Sequence, residues 1–157
     1  MIIIDGTNLL CAVQESPDGR EIRTEVQLCE TLDRYFALTG EEGEVVFDGA
    51  GPADKGVFGR VTYLEIFFSG FNKDADTVIE EKLLVATAPQ HLTVVSSDRR
   101  LRLAAAGRKA AALKSELFWS LVLRELASKR SRRQEPEEKR DGLTDSETDK
   151  WLDVFGL

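Results

Sequence analysis

The opening stretch Met1-Ile2-Ile3-Ile4-Asp5-Gly6 is a short β-branched run that ends in an acid. Such a run predicts a buried strand, because β-branched side chains suit a sheet that is covered on both faces. The same pattern recurs in Val45-Val46-Phe47-Asp48 and in residues 92–95, which precede Ser96-Ser97-Asp98. Residues 61–68 and 110–113 predict two further strands, so the chain has five candidate strands.

Helical periodicity fills the segments between these strands. It predicts helices over residues 24–38, 74–88 and 99–106, and a long helix that begins at Ser115. Strands that alternate with helices in this way predict an α/β fold whose sheet is mostly parallel.

The composition indicates one globular domain without a membrane span. The chain has 157 residues, of which 42% are hydrophobic and 31% charged. No apolar run approaches the ~20 residues that cross a bilayer, and residues 1–4 lack the features of a signal peptide. Cys11 and Cys29 lie outside any Cys-x-x-Cys pattern, which argues against a disulfide framework or a zinc site. We therefore expect a cytoplasmic location.

Charge is distributed unevenly along the chain. Residues 1–98 carry 18 acidic and seven basic side chains, whereas residues 99–140 carry 13 basic and five acidic ones. One interpretation is a carboxylate metal site in the first region with phosphate contacts in the second. The other is a solvated helical face followed by a basic tail, and charge alone does not decide between them.

The C-terminal region predicts two further segments after a domain of residues 1–128. Residues 129–143 are highly charged and predict a linker or a frayed helix end. Residues 144–157 predict a short helix, because Thr144 and Glu147 form a capping box and Trp151, Leu152 and Phe155 share a face. That helix would either dock on the domain or bind a partner.

Acidic residues fall where the predicted strands end. Asp5, Asp48 and Asp98 follow strands, and Asp74 and Asp76 begin a helix. The carboxyl ends of parallel strands share one sheet edge, where ligands bind in open α/β folds. Converging carboxylates repel one another unless a cation such as Mg²⁺ or Mn²⁺ offsets their charge. Taken singly, each aspartate has a simpler interpretation as a turn residue or helix N-cap.

Other catalytic arrangements are absent from the sequence. The lone His91 precedes the fourth strand, at the end opposite to the acids, and neither a Ser/Cys–His pair nor a glycine-rich phosphate loop of common spacing is present. Metal-assisted phosphodiester hydrolysis is therefore the favoured chemistry.

Three motifs resemble those of NYN domains, which belong to the PIN-like nuclease superfamily. Ile4-Asp5-Gly6-Thr7-Asn8 resembles the Asp-Gly-x-Asn motif, although Thr7 stands where bulky aromatic residues are often seen. Asp74-Ala75-Asp76-Thr77-Val78-Ile79-Glu80 and Val94-Val95-Ser96-Ser97-Asp98-Arg99 resemble the two downstream motifs. Their order and spacing over residues 1–125 are most similar to the YacP-type branch. The resemblance implies a three-layer α/β/α fold and a metal-dependent endoribonuclease.

The resemblance also implies roles for individual residues. Asp5, Asp76 and Asp98 match the metal-binding acids, and Asn8 matches an active-site asparagine. Ser97 matches a small hydroxyl residue beside the last acid, and Asp48, Asp74 and Glu80 are additional candidates. The implied cofactor is Mg²⁺ or Mn²⁺. The implied partner is RNA, with a ribosome or translation context left open and no membrane.

Basic and aromatic residues near these acids are candidates for RNA contact. The basic candidates are Arg99, Arg100, Arg102, Lys55 and Arg60. Phe71 is a candidate for stacking on a base if it is exposed, and for closing its loop if it is not.

The sequence has two alternative interpretations besides the nuclease. One is a non-catalytic RNA- or ribosome-binding module with the same fold. The other is a haloacid dehalogenase-like phosphatase, suggested by Asp5-Gly6-Thr7, but that family needs a second aspartate two residues from its nucleophile and position 3 is Ile3.

Overall fold

The computed structural model describes the backbone of residues 1–134 and the side chains of residues 1–128. Its strands are β1 (Ile2–Asp5), β2 (Gly43–Phe47), β3 (Leu64–Phe68), β4 (Thr93–Val95) and β5 (Ala111–Leu113). Its α-helices are α1 (Gly6–Glu15), α2 (Glu25–Thr39), α3 (Ala75–Val85), α4 (Arg99–Gly107) and α5 (Ser115–Gln134). Short 3₁₀ turns cover Pro17–Gly19, Lys55–Phe58 and Pro89–His91.

The five strands form one parallel sheet in the order β3-β2-β1-β4-β5. The chain builds the sheet outward from β1 to β2 and β3, then returns through α3 to the other side of β1. The strand order therefore reverses between β1 and β4, which creates a crevice at the carboxyl ends of these strands.

Helices cover both faces of the sheet, which gives three layers. On one face Ile3, Val46 and Val94 pack against apolar residues of α3 and α4, including Ile79 and Leu101. Successive side chains of a strand point to opposite faces, so Ile4, Val45 and Val95 face the other helices. There α2 lies over β2, and Tyr35 of α2 meets Phe118 of α5 edge to face at 5.6 Å between ring centroids. The predicted three-layer α/β/α fold is confirmed.

The chain divides into two compact units. Met1–Leu123 holds the sheet, α1 to α4 and the first part of α5. In the unit that begins at Arg124, the described part is the rest of α5, which continues to Gln134. The first six residues of the predicted 129–143 linker are thus helical. The predicted helix over residues 144–157 lies outside the described residues.

Local capping explains where α2 begins and ends. Thr24 and Gln27 form a reciprocal capping box at its start. Gly40 ends the helix with a φ of 73°, a left-handed conformation that glycine adopts without steric cost. Among the described residues, no helix is both long and apolar enough to cross a bilayer.

Gly6 is required by close packing where β1 passes into α1. A Cβ atom at Gly6 would lie 2.5 Å from the Phe47 ring and 2.7 Å from the Val45 side chain, both fully buried. We expect Gly6→Ala to lower the free energy of unfolding by about 1–3 kcal/mol through overpacking. Urea denaturation measures this change.

Gly107→Ala is the matched control for that substitution. Gly107 ends α4, and nothing lies within 4 Å of its added Cβ. We expect this variant to be neutral or stabilised by up to about 1 kcal/mol, since alanine restricts the unfolded chain more than glycine. Equal losses in both variants would contradict the packing explanation for Gly6.

Candidate active site

The acidic residues gather at the carboxyl edge of the sheet, beside the crevice between β1 and β4. Asp5 is the last residue of β1, Asp48 follows β2, and Asp98 lies three residues beyond β4. Ile4 pairs with both Val45 and Val95 in the parallel ladders, so these three strands end at nearly the same level. α3 brings Asp76 to the same edge, in its first turn.

Asp5 is a buried carboxylate that caps α1. Its side chain accepts a hydrogen bond from the Asn8 N–H (3.2 Å) and another from the Ser96 hydroxyl (3.2 Å). The residue is only 4% exposed. Burial raises the pKa of Asp5, and the charge of Asp48 adds to the rise, while the two hydrogen bonds oppose it.

Asp76 is the most strongly perturbed acid of the edge. Its pKa rises to about 7, first because burial disfavours the charged form and then because Asp5 and Asp98 repel it. A hydrogen bond with Asp98 acts in the same direction. Asp5 and Asp98 therefore act on Asp76 through their charges, and without a cation Asp76 stays protonated to a higher pH than an ordinary aspartate.

Ser96 holds the first and last of these acids in fixed relation, and the sequence patterns did not single it out. Its fully buried hydroxyl donates to Asp5 and accepts from the backbone N–H of Asp98 at 3.0 Å. Asp98 in turn caps α4 by accepting from the Arg100 N–H at 2.8 Å. The Ser-Ser-Asp run after β4 was the available signal, but the resemblance pointed to its second serine.

Asn8 is oriented by two donors. Its side-chain oxygen accepts from the Ser97 N–H at 2.9 Å and from the Ser115 hydroxyl at 2.6 Å. A backbone N–H can only donate, so the atom that faces Ser97 is the oxygen of the amide. The NH₂ group of Asn8 has no hydrogen-bond acceptor among the described residues, so it is left as a donor.

Ser97 links this site to the start of α5. Its hydroxyl donates to Glu116 at 2.6 Å and accepts from the Ser115 N–H at 3.1 Å. The hydrogen bond from the Ser97 hydroxyl lowers the pKa of the Glu116 carboxyl. Ser97 thus supports the position of Asn8, while Ser115 and Glu116 are contributors that sequence patterns alone did not indicate.

The other candidate acids lie at the margin of the cluster. Asp48 accepts from the Ala75 N–H at 2.6 Å, which fixes the start of α3 against the end of β2. Asp74 caps α3 through Thr77, and these hydrogen bonds lower its pKa. Arg100 binds Glu80 at 2.6 Å and Asp74 at 3.4 Å. Glu80 and Asp74 therefore neutralise Arg100 beside the cluster.

The basic candidates for RNA contact differ in whether their side chains already bind other groups of the protein. Within residues 1–128, the side chains of Arg99 and Arg102 are exposed and form no hydrogen bond or ion pair. Arg100 is engaged as described, and Lys55 donates to the Ala50 carbonyl at 2.6 Å and lies over the Phe68 ring. Arg60 lines a cavity of about 430 Å³ beside α2, together with Glu21 and Asp33.

The acids at the edge suit a hard divalent cation by their chemistry. Asp5, Asp76 and Asp98 offer carboxylate oxygens, and a cation would offset the repulsion that raises the pKa of Asp76. In the described part of the chain, no three acidic, histidine or cysteine side chains already stand at metal-binding geometry. A Mg²⁺ ion that keeps several waters and binds one or two carboxylates is compatible with this arrangement.

Comparisons with known proteins agree with the fold. The chain is similar to the crystal structure of Rae1 (YacP) from Bacillus subtilis, with 23% identity, a TM-score of 0.63, and coverage of 99% of this chain and 92% of that one. The chain is also similar to the crystal structure of a tryptophan-to-leucine mutant of the same protein, with 22% identity and a TM-score of 0.59. That match covers 98% of this chain and 89% of the mutant. No curated protein matches the chain.

The family model for the YacP-like NYN domain matches residues 2–155, which is nearly the whole sequence. NYN domains are part of the nuclease superfamily with the PIN-like fold. By this match and by its five-stranded parallel sheet, the chain belongs to the YacP-like NYN domain family.

Proposed function

We propose that this protein is a metal-dependent endoribonuclease that hydrolyses RNA phosphodiester bonds with Mg²⁺ or Mn²⁺. The observation that carries the proposal is the convergence of Asp5, Asp76 and Asp98 at one edge of the sheet, where burial and then the charges of Asp5 and Asp98 raise the pKa of Asp76 to about 7. A protein that only binds RNA gains nothing from placing mutually repelling carboxylates where a phosphate would approach. A cytoplasmic protein with free Cys11 and Cys29 fits this role.

Each group at the edge has a distinct part in the proposed reaction. Asp5, Asp76 and Asp98 would hold the cation, one or two of them directly and the rest through its waters, and the cation would supply an activated water and offset charge on the phosphoryl group. Asn8 donates its NH₂ hydrogens to a phosphate oxygen, in the orientation that Ser97 and Ser115 impose. Arg99 and Arg102 bind flanking phosphates. Ser96 keeps Asp5 and Asp98 at a fixed separation.

The direct test is cleavage of a circular single-stranded RNA by the full chain. A circle has no ends, so only an endonuclease converts it to a linear product. We expect linearisation with Mn²⁺ or Mg²⁺ and none with a chelator, while a double-stranded RNA of the same sequence is cleaved more slowly. An intact circle at all metal concentrations would refute the proposal.

One observation favours a second candidate function. Because no three acids within the described residues are already set at metal-binding geometry, the chain could instead be a non-catalytic RNA- or ribosome-binding module. In that case the circular RNA would be bound, with salt-sensitive affinity, and would not be cut. The same assay, run with a binding measurement, separates the two functions.

A further inference from the structure

Phe71 presents an apolar ring to solvent beside the acidic edge. Its exposure is 92%, larger than that of any other large hydrophobic residue within the described side chains. Leaving a phenyl group in water forgoes the stabilisation that its burial would bring. A single exposed apolar residue is ordinary on a protein surface, but this ring is fully accessible to a ligand that reaches the neighbouring acidic edge.

The loop that carries Phe71 is held in place on both sides. The Gly70 N–H donates to the Gly49 carbonyl at 2.8 Å, and the Ser69 hydroxyl accepts from the Gly49 N–H at 3.0 Å. Gly70 has a φ of +85°, which a residue with a side chain rarely adopts, so the chain turns sharply just before Phe71. After Phe71, the Asp74 cap and the Asp48–Ala75 hydrogen bond fix the start of α3.

The order of the strands places Phe71 in line with the acids. Along the carboxyl edge, the end of β3 with Phe71 is followed by β2 with Asp48, β1 with Asp5 and β4 with Asp98. Neighbouring strands lie about 4.8 Å apart, so the end of β3, three residues before Phe71, is about 10 Å from the end of β1 at Asp5. That distance corresponds to one or two nucleotides of an extended strand.

The surroundings of Phe71 favour a base over a phosphate as the group that it binds. Lys73, the nearest cation in the loop, is paired with Glu81 at 2.8 Å. Asp74 and Asp48 flank the loop and repel anions. An uncharged ring in an acidic neighbourhood suits the face of a nucleobase, which aromatic side chains stack on without regard to sequence.

We propose that Phe71 stacks on an unpaired nucleobase of the RNA, one or two nucleotides from the bond placed at Asp5, Asp76 and Asp98. This inference rests on the proposed function. Such stacking requires an unpaired base, because the bases of a duplex stack on one another and are not free.

The test measures stacking separately from cleavage. A short single-stranded RNA that contains the fluorescent base 2-aminopurine is titrated with the full-length Asp98→Asn chain in Mg²⁺, so that RNA is bound without being cut. Stacking on an aromatic ring quenches this base. We expect quenching with Phe71 present and with Phe71→Trp, and loss of quenching with about tenfold weaker binding for Phe71→Ala and Phe71→Leu.

Tyr63→Ala is the matched control. Tyr63 is also an exposed aromatic residue, at 59%, but it lies just before β3, at the opposite edge of the sheet. We expect its replacement to leave affinity and quenching unchanged. Thermal melting checks that every variant is folded, and Phe71 is too exposed for its loss to unfold the chain.

Two results would overturn the stacking proposal. One is unchanged affinity and quenching in Phe71→Ala. The other is unchanged affinity in Phe71→Leu, which would show that an apolar surface and not a ring is required. Failure of the proposed function has a different signature: quenching by Phe71 would persist while the unmodified chain cuts no RNA. If cleavage is present, Phe71→Ala should raise KM with little change in kcat.

Discussion

Asp98→Asn is expected to reduce metal-dependent RNA cleavage by about 100-fold or more while the protein stays folded. The substitution removes one negative charge from the group that would hold the cation, and electrostatic stabilisation of the transition state depends on that cation. The asparagine side chain can still accept the hydrogen bond that the Arg100 N–H donates to Asp98, and asparagine is as good an N-cap as aspartate. Asp5→Asn and Asp76→Asn should lose cleavage to a similar extent.

Asp54→Asn is the control for these variants. Asp54 caps the 3₁₀ turn Lys55–Phe58 by accepting from the Gly56 N–H at 2.8 Å, so it has the same local capping role as Asp98 but is not one of the three acids assigned to the cation. We expect it to cleave RNA like the unmodified chain. Cleavage rates are compared at saturating Mn²⁺, with circular dichroism to show that each variant is folded. Retained cleavage in all three acid variants would exclude the assignment of Asp5, Asp76 and Asp98.

The strands and the acids that follow them could be predicted from local sequence. A β-branched run that ends in Asp needs no distant information, and parallel pairing then brings Asp5, Asp48 and Asp98 to one edge. The bounds of α2 could also be predicted from local sequence, because Thr24 caps the start of the helix and Gly40 ends it without help from distant residues.

α1 was missed because its first residues give the wrong local signal. Asp5-Gly6 suggests a turn and Thr7 is β-branched, so the segment does not begin like a helix. The helix forms because Asp5 caps it and because Leu9 and Val13, four residues apart, are both fully buried against the sheet. That spacing was the signal that could have found it.

The partners of the charged residues were not predictable from sequence. Arg100 follows the last acid and looks like a phosphate contact, but the packing of α3 against α4 brings Glu80 and Asp74 within its reach. Likewise, Asn8 and Ser115 are 107 positions apart in the chain, and only the assembled sheet brings their side chains to 2.6 Å. Pairings of this kind depend on tertiary packing, which local patterns do not encode.

The metal-free protein is expected to lose stability as the pH rises from about 4 to about 7. The unfolded pKa of Asp76 is 3.8 and its folded pKa is about 7, so within this window the folded state binds more protons than the unfolded state. By linkage, the free energy of unfolding then falls as pH rises and levels off above the folded pKa. The raised pKa of Asp5 acts in the same direction.

The size of this effect is limited by solvent. One pKa unit corresponds to about 1.4 kcal/mol, but Asp76 is only partly buried and water screens its interactions, so we expect a net loss on the order of 1–2 kcal/mol. For a chain of this length, that is a fall in Tm of roughly 3–6 °C between pH 5 and pH 8. Differential scanning calorimetry in a chelator measures it.

Asp76→Asn and divalent cations should each remove most of this pH dependence. The asparagine carries no titrating charge, so the variant should melt higher than the unmodified chain at pH 8 and about equally at pH 5. Mg²⁺ or Mn²⁺ binds the folded carboxylates and stabilises the chain in proportion to RT ln(1 + [L]/Kd), more at pH 8 than at pH 5, because protons compete for the same oxygens. Asp54→Asn should keep the full dependence on pH. Two outcomes would contradict the role of Asp76. One is an equal Tm of the unmodified chain at pH 5 and pH 8, and the other is equal stabilisation of Asp76→Asn and the unmodified chain by cations. Either result would show that Asp76 is not repelled by its neighbours in the way that the metal site requires.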